Sequence, residues 1–320
     1  MIIPVIQSHE TVIDIDRLTK DYEVGFFKKK TVRALDSLTL KVFRGEIFGF
    51  LGPNGAGKTT TLKLLMRLIY PTEGTASILG RPIEDVATHS RIGYIPENPY
   101  FYDYLSGREL LHYTGALFGL NKVRARQRAS ELLMTVGLDD ERADRQLRKY
   151  SKGMLQRIGI AQALMNDPEI VFMDEPMSGL DPLGRREVRD LLLALRRQGK
   201  TIFFSSHILS DVEALCDRAA ILSRGRLLRS GTIFEMTGDK TAAIEVIAVG
   251  VSSDSVLSLS RSVPAILEVS ATPNGVHIIL EDDSSLDDAL RILRSAGGKL
   301  VSINPRRRRL EDIFSNDEQG

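Results

Sequence analysis

The sequence predicts an α/β fold built on a mostly parallel sheet, with an inserted helical segment and a second, smaller α+β domain. Three observations carry this. Short apolar runs of strand length recur at Glu46–Leu51, Glu169–Asp174 and Thr201–Ser206, too continuous for a half-exposed sheet. Between about residues 104 and 165 the pattern changes to helical spacing. After residue 238 strand and helix patterns alternate again, without the motifs of the first part. The expected boundaries are a body over 1–238, its helical insertion over about 98–165, and an accessory domain over 239–320.

The composition bounds the class. The chain has 320 residues, 42% of them hydrophobic and 27% charged, with a net charge of +1. That length accommodates two domains, and the balanced charge implies no general attraction to nucleic acid or to a membrane surface. Cys216 is the one cysteine, so no internal disulfide forms and a reducing compartment is expected. No apolar run approaches the roughly 18 residues that cross a bilayer. Met1–Ile6 is apolar but short and lacks a basic start, so it is not read as a signal sequence. The expected location is the cytoplasm, and any membrane role needs another chain to supply the spanning helices.

Taken in order, Thr11–Asp16 alternates apolar and polar as a half-buried strand does, and Val32–Val42 continues in that style. The loop between them carries Tyr22, Phe26 and Phe27. A ring there can stack on a nucleobase, with Tyr22 the first candidate, or simply fill a hairpin. Glu46–Leu51 leads into Gly52, Pro53, Asn54, Gly55, Ala56, Gly57, Lys58, Thr59 and Thr60. This is the GxxxxGK[ST] pattern, between a strand and the helix expected at Thr60–Ile69. Its glycines allow backbone N–H groups to converge on phosphate oxygens, Lys58 reaches the outer phosphates, and the Thr59 hydroxyl binds Mg²⁺.

Thr75–Leu79 and Arg91–Pro96 read as strands, the second ending beside Glu97. Glu109–Phe118 and Arg128–Val136 have helical spacing, and His112 within the first is read as packing. Tyr150–Arg157 opens a helix that continues to Met165, with Ser151 as N-cap and Gly153 leaving the backbone open to close approach. Glu169–Asp174 ends in a carboxylate placed to hold Mg²⁺, and Glu175 follows where it can orient or deprotonate water. Thr201–Ser206 ends at His207, the one histidine of five at such a strand end. In the last part, Thr241–Val249, Ala265–Ser270, Val276–Glu281 and Leu300–Ile303 read as strands, Ser252–Ser262 and Leu286–Ala296 as helices. That βαββαβ order predicts a ferredoxin-like domain. Arg306–Arg309 reads as a solvated helix start, or as a contact for anionic lipid or a partner loop.

With these residues in hand, the chain over roughly 10–235 resembles the nucleotide-binding subunit of an ABC (ATP-binding cassette) transporter, of the exporter type with a separate permease chain. Gly52–Thr60 resembles the Walker A loop, Ile170–Glu175 the Walker B strand with its catalytic glutamate, Ser178–Asp181 the D-loop, and His207 the switch histidine. Tyr150–Arg157 stands where the family has Leu-Ser-Gly-Gly-Gln, with Tyr150, Lys152 and Met154 as departures and Ser151 and Gly153 kept. Glu97 stands where the family usually has Gln.

The resemblance implies ATP and Mg²⁺ as ligands, ATP hydrolysis as the activity, and two subunits, identical or not, closing head to tail around two nucleotides. Ser151 and Gly153 then face the partner's ATP, Asp181 links the two sites, and Glu97 joins Thr59 and Asp174 at Mg²⁺. It further implies an integral membrane permease as partner, docking near Glu97–Leu105 with its rings Tyr100, Phe101, Tyr102 and Tyr104, unless these pack the helical segment. The subunit is then peripheral on the inner face of the cell membrane. Two other readings stay open: an ABC ATPase acting on nucleic acid or the ribosome, against which the single cassette and neutral charge speak, and a regulatory module with a weak site, which Glu97 and the altered signature keep open.

Overall fold

The computed structural model describes residues 10–25, 29–237, 241–251, 266–281 and 284–307. The chain divides into two compact units, Met1–Ile233 and Phe234–Gly320.

The strands of the first unit are β1 (Thr11–Val24), β2 (Lys30–Phe43), β3 (Ile47–Leu51), β4 (Glu73–Ile78), β5 (Arg81–Pro82), β6 (Ile92–Ile95), β7 (Ile170–Asp174), β8 (Thr201–Ser206), β9 (Arg218–Ser223) and β10 (Arg226–Thr232). They form two sheets. One is antiparallel, in the order β2-β1-β4-β5, and the other has the order β10-β9-β3-β8-β7-β6. In the second sheet β9, β3, β8, β7 and β6 run parallel, and only β10 is antiparallel to its neighbour. Every residue of β3, β7 and β8 is buried, which is why their sequences are continuous apolar runs.

The helices are α1 (Lys58–Leu65), α2 (Gly107–Leu117), α3 (Lys122–Thr135), α4 (Asp140–Ala143), α5 (Lys152–Ala163), α6 (Pro182–Arg197) and α7 (Leu209–Leu215). Helix α1 packs against β2 and β4 of one sheet and β7 of the other. One core fills the space between them, and at its centre Phe203 lies 5.5, 5.2 and 5.7 Å from the rings of Phe48, Phe50 and Phe172. Helices α6 and α7 pack on β8, and α7 also on β3. A Cβ at Gly49 would come within 2.7 Å of Val212 in α7, so this glycine sets how near α7 lies to the sheet.

Helices α2, α3 and α5 pack on one another, and α5 also on β6. Ser106 and Glu109 form a reciprocal capping box at the start of α2. Two expected boundaries shift for local reasons. The helix expected at Thr60–Ile69 starts at Lys58, because Gly57 in the left-handed region caps it, and it stops by Met66, because Arg67 has φ 56°. The helix expected at Arg128 starts at Lys122, where Asn121 caps it through the Arg124 N–H. Strands β9 and β10 and helices α6 and α7 carry no motif read from the sequence as an element.

A short helix α8 (Ile233–Thr237) follows. The second unit holds β11 (Thr241–Val249), β12 (Ile266–Thr272), β13 (Gly275–Leu280), α9 (Leu286–Ser295) and β14 (Lys299–Arg307). Its sheet is antiparallel in the order β12-β13-β11-β14, which is the ferredoxin-like strand order. Ile244, Val246, Ala248, Val276, Ile278 and Leu280 of the sheet pack with Ala289 and Leu293 of α9. The helix expected at Ser252–Ser262 lies outside the described residues, as do Arg308 and Arg309 of the basic run. The basic run is not a helix start where it is described: β14 extends to Arg307, Arg306 pairing with Ala243 and Arg307 with Thr241. Backbone pairing with β11 overrides the local charge pattern.

Among the described residues no helix is long and apolar enough to cross a membrane.

Candidate nucleotide and phosphate site

The glycine-rich turn joins the end of β3 to the start of α1, at the C-terminal edge of the parallel sheet, where open α/β sheets place ligands. Gly57 has φ 106°, and a Cβ there would lie 2.6 Å from the Ala34 carbonyl oxygen. Only glycine fits both demands. Pro53 through Thr60 line a cavity of about 550 Å³ together with Ala34, Glu97, Glu175, Ser178 and His207.

The Lys58 ammonium is buried against this wall. It donates to the Gly52 carbonyl at 2.6 Å and to that of Pro53 at 3.3 Å, and Glu175 Oε1 lies 3.4 Å away. The other Glu175 oxygen, Oε2, is 2.9 Å from His207 Nδ1 and accepts from the His207 N–H at 3.4 Å. An ionised carboxylate only accepts, so Nδ1 is the donor and Nε2 is left for another partner. Glu175 itself has φ 50°, a left-handed conformation rare for a non-glycine residue and found where a site over-determines the backbone.

One threonine and one serine fix Asp174 and the backbone of Glu175. Thr59 Oγ1 donates to Asp174 Oδ2 at 2.8 Å, and Ser205 Oγ donates to Asp174 Oδ1 at 2.5 Å. Ser205 Oγ in turn accepts from the Glu175 N–H at 3.0 Å, while Ser206 caps the next turn by accepting from the Ile208 N–H. Ser205 is fully buried on β8, directly opposite Asp174 in register. Sequence reasoning missed it, because a serine near the end of a strand has no pattern of its own. Ala34, an alanine inside β2, was missed because nothing local marks it, and Ser178 was read as part of the D-loop rather than as a residue of this cavity. Tyr94 on β6 has its hydroxyl pushed up to about 12 by burial and then by the negative charge of Asp174.

The donor set suits Mg²⁺. Thr59 and Asp174 present hard oxygens already in contact, and Glu97 stands on the same cavity wall. Among the described residues no group of three or more His, Cys, Asp and Glu could hold a metal alone. The protein therefore offers part of a coordination shell, of the kind phosphate oxygens and water complete.

Other residues singled out from the sequence do not reach this cavity in their own chain. Ser151 is exposed and caps α5, accepting from the Met154 N–H at 3.2 Å. A Cβ at Gly153 would meet nothing within 4 Å, so the face beside it is open. Asp181 caps α6, accepting from the Gly184 N–H at 3.1 Å. Tyr22 is not among the lining residues: the β1–β2 register sets it opposite Val32, whereas Ala34, two residues further along β2, reaches the cavity. Its ring instead lies 5.2 Å from Lys20 Nζ. Phe26 and Phe27 lie outside the described residues.

The rings after Glu97 divide. Phe101 packs on α5, where a Cβ at Gly159 would lie 3.4 Å from it. Tyr100 is 95% exposed and Tyr104 61%. Tyr102 touches Tyr104 and Tyr113, with ring centres 5.9 and 6.0 Å apart. A second cavity of about 540 Å³ lies here, walled by Met66, Pro99, Tyr100, Phe101, Leu117 and Phe118 among others.

The chain matches the family model described as ABC transporter over residues 35–178. It is 46% identical to an uncharacterised ABC transporter ATP-binding protein of Synechocystis, covering 97% of this chain and 85% of that protein. It is 42% identical to the bacitracin transport ATP-binding protein BcrA of Bacillus licheniformis, over 68% of this chain and 69% of that one. It is 40% identical to the daunorubicin/doxorubicin resistance ATP-binding protein DrrA of Streptomyces peucetius, over 64% and 62%. Among solved structures it resembles the dimeric, ADP- and Pi-bound ATP-binding cassette MJ0796, at 26% identity and TM-score 0.63, over 69% of this chain and 98% of that one. A further match, an ATP-binding subunit of an ABC transporter, has 32% identity and TM-score 0.61, over 71% and 92%. Its glycine-rich strand–loop–helix turn, its parallel sheet and these relatives agree: the chain belongs to the family of ABC transporter ATP-binding subunits.

Proposed function

We propose that this chain hydrolyses ATP in a closed dimer and thereby drives export through a separate membrane permease. The observation that carries the reading is the convergence of Lys58, Thr59 and the Glu175–His207 pair on one cavity, with Asp174 bonded to Thr59 from the buried end of β7. The body over 1–238 is the ATPase and 239–320 an accessory domain without chemistry of its own.

The geometry and the family resemblance together support the following roles. Backbone N–H groups of Gly55 to Thr60 and the N-terminus of α1 receive the phosphates, and Lys58 adds positive charge. Thr59, Asp174 and Glu97 are the residues to hold Mg²⁺, which when bound neutralises phosphate charge. Glu175 orients and deprotonates the attacking water, and His207 holds the terminal phosphate through Nε2, its Nδ1 being engaged with Glu175. Ser151, Gly153 and Asp181, which do not face their own cavity, serve the nucleotide of the second subunit. Tyr22, which does not line the cavity, is kept from the resemblance as the ring to stack on the adenine once nucleotide is bound.

The named transport and resistance relatives support export, and the exposed Tyr100 and Tyr104 beside the second cavity support a permease docking face there. The working location is then the cytoplasmic face of the membrane, with no nucleic-acid partner.

The test is steady-state ATP hydrolysis by the purified chain, with dimer formation followed in ATP by light scattering. The expected result is hydrolysis by the wild type and an ATP-trapped dimer for Glu175→Gln. Absence of both, with and without the permease-containing membrane fraction, overturns the reading.

A further inference from the structure

Asp211 is a buried carboxylate, 4% exposed, that the site above does not use. It lies on α7, which begins two residues after His207. Its Oδ2 accepts no hydrogen bond among the described residues. A buried carboxylate in that state costs free energy unless a cation compensates it. The cation here is Arg185 on α6, whose Nη1 is 3.9 Å from Oδ2, long for a charge-assisted contact. The same guanidinium donates through Nε to the Leu180 carbonyl at 3.2 Å. Leu180 lies in Ser178–Asp181, the loop that ends where Asp181 caps α6. Arg189, one turn further along α6, has a buried Nε with no hydrogen-bond partner among the described residues.

One arginine thus hydrogen-bonds the backbone of the Ser178–Asp181 loop and faces the carboxylate of the helix after His207 across 3.9 Å. The long contact leaves slack of about 1 Å relative to an ordinary charge-assisted hydrogen bond. Movement of the His207 segment toward α6 shortens the pair and pulls on the Leu180 carbonyl through a planar, rigid group.

We propose that Arg185 and Asp211 are positioning residues that transmit the state of the His207 segment to the Ser178–Asp181 loop within one chain. The proposal deepens the ATPase reading and rests on it for its role in the reaction, since that loop is the one assigned to the subunit–subunit link. The loop geometry itself does not depend on hydrolysis.

The test has two readouts on the full chain. Hydrogen exchange followed by mass spectrometry on peptides spanning residues 175–184 reads the loop directly, without activity. Asp211→Asn keeps the shape and removes the charge, and Asp211→Glu restores it. The expected result is exchange about tenfold faster in that peptide for Asp211→Asn, unchanged protection of β3, β7 and β8, and recovery in Asp211→Glu. Arg185→Gln reproduces the Asn result. In ATP hydrolysis the same variants lower kcat with KM unchanged. Unchanged exchange at 175–184 in Asp211→Asn overturns the proposal, and so does loosening spread equally over the strands. Exchange as expected with no hydrolysis by the wild type leaves the link standing and sinks the ATPase reading instead.

Discussion

Lys58 and Glu175 form an ion pair at 3.4 Å with side chains only 7% and 9% exposed. In the reaction proposed above, Lys58 meets phosphate and Glu175 meets water, and here the two neutralise each other. On that proposal a nucleotide is expected to replace Glu175 at Lys58 and so free the carboxylate.

Glu175→Gln therefore has two opposite effects. It removes the anion competing for Lys58, so ATP binds more tightly, by about tenfold for each 1.4 kcal/mol of released competition. It also removes the base, lowering hydrolysis by about 10²–10⁴-fold. Equilibrium titration with ATP and a phosphate-release assay on one preparation check both. Weaker binding by the variant contradicts the competition.

Ser205→Ala leaves Asp174 Oδ1 and the Glu175 N–H without their partner in a fully buried place. The expected cost is about 2–3 kcal/mol, seen as a fall in Tm of roughly 5–10 °C. Hydrolysis falls as well, because both carboxylates lose their fixed orientation. Calorimetry with a hydrolysis assay measures the pair of effects, and a variant with unchanged Tm removes Ser205 from the site's support.

Gly57→Ala and Gly55→Ala separate strain from clash. Both glycines have positive φ, 106° and 82°, but only at Gly57 does a Cβ meet an atom, the Ala34 carbonyl oxygen at 2.6 Å. Gly55→Ala is expected to cost about 1–2 kcal/mol of backbone strain. Gly57→Ala is expected to cost more and to abolish nucleotide binding, because the turn itself must open. Equal behaviour of the two variants in ATP titration and in melts goes against this.

Acid stability depends on Glu169, which Arg91 and then Arg44 hold below the ordinary carboxylate value of 4.5 through hydrogen bonds at 2.6 and 2.8 Å. A lowered pKa means that the unfolded chain binds the proton first. The stabilisation is present above 4.5 and is lost as pH falls through the folded value. Glu169→Gln is expected to cost about 1 kcal/mol at neutral pH and progressively less in acid. Urea melts of both proteins at neutral pH and near pH 3.5 show the gap closing; a gap constant with pH rules the network out as its source.

The sequence by itself determined the phosphate loop, the two strand-end carboxylates, His207 and the division into a sheet body with helices and a second small domain. Each has a local physical cause: glycine spacing, apolar runs of strand length, helical periodicity. Strand β10 escaped notice because Arg226–Thr232 mixes charge with apolar groups at the sheet's edge, where pairing rather than pattern makes a strand. Strand β9 lies inside the sheet, between β10 and β3, and its four buried residues Ala219–Leu222 make an apolar run too short to separate a strand from a helix turn by pattern. Only the tertiary structure decided that Ser205 joins Asp174 to Glu175, that Ala34 and not Tyr22 lines the cavity, and that Asp211 meets Arg185. These relations depend on strand register and helix packing between residues far apart in the chain, and no local pattern encodes such distances.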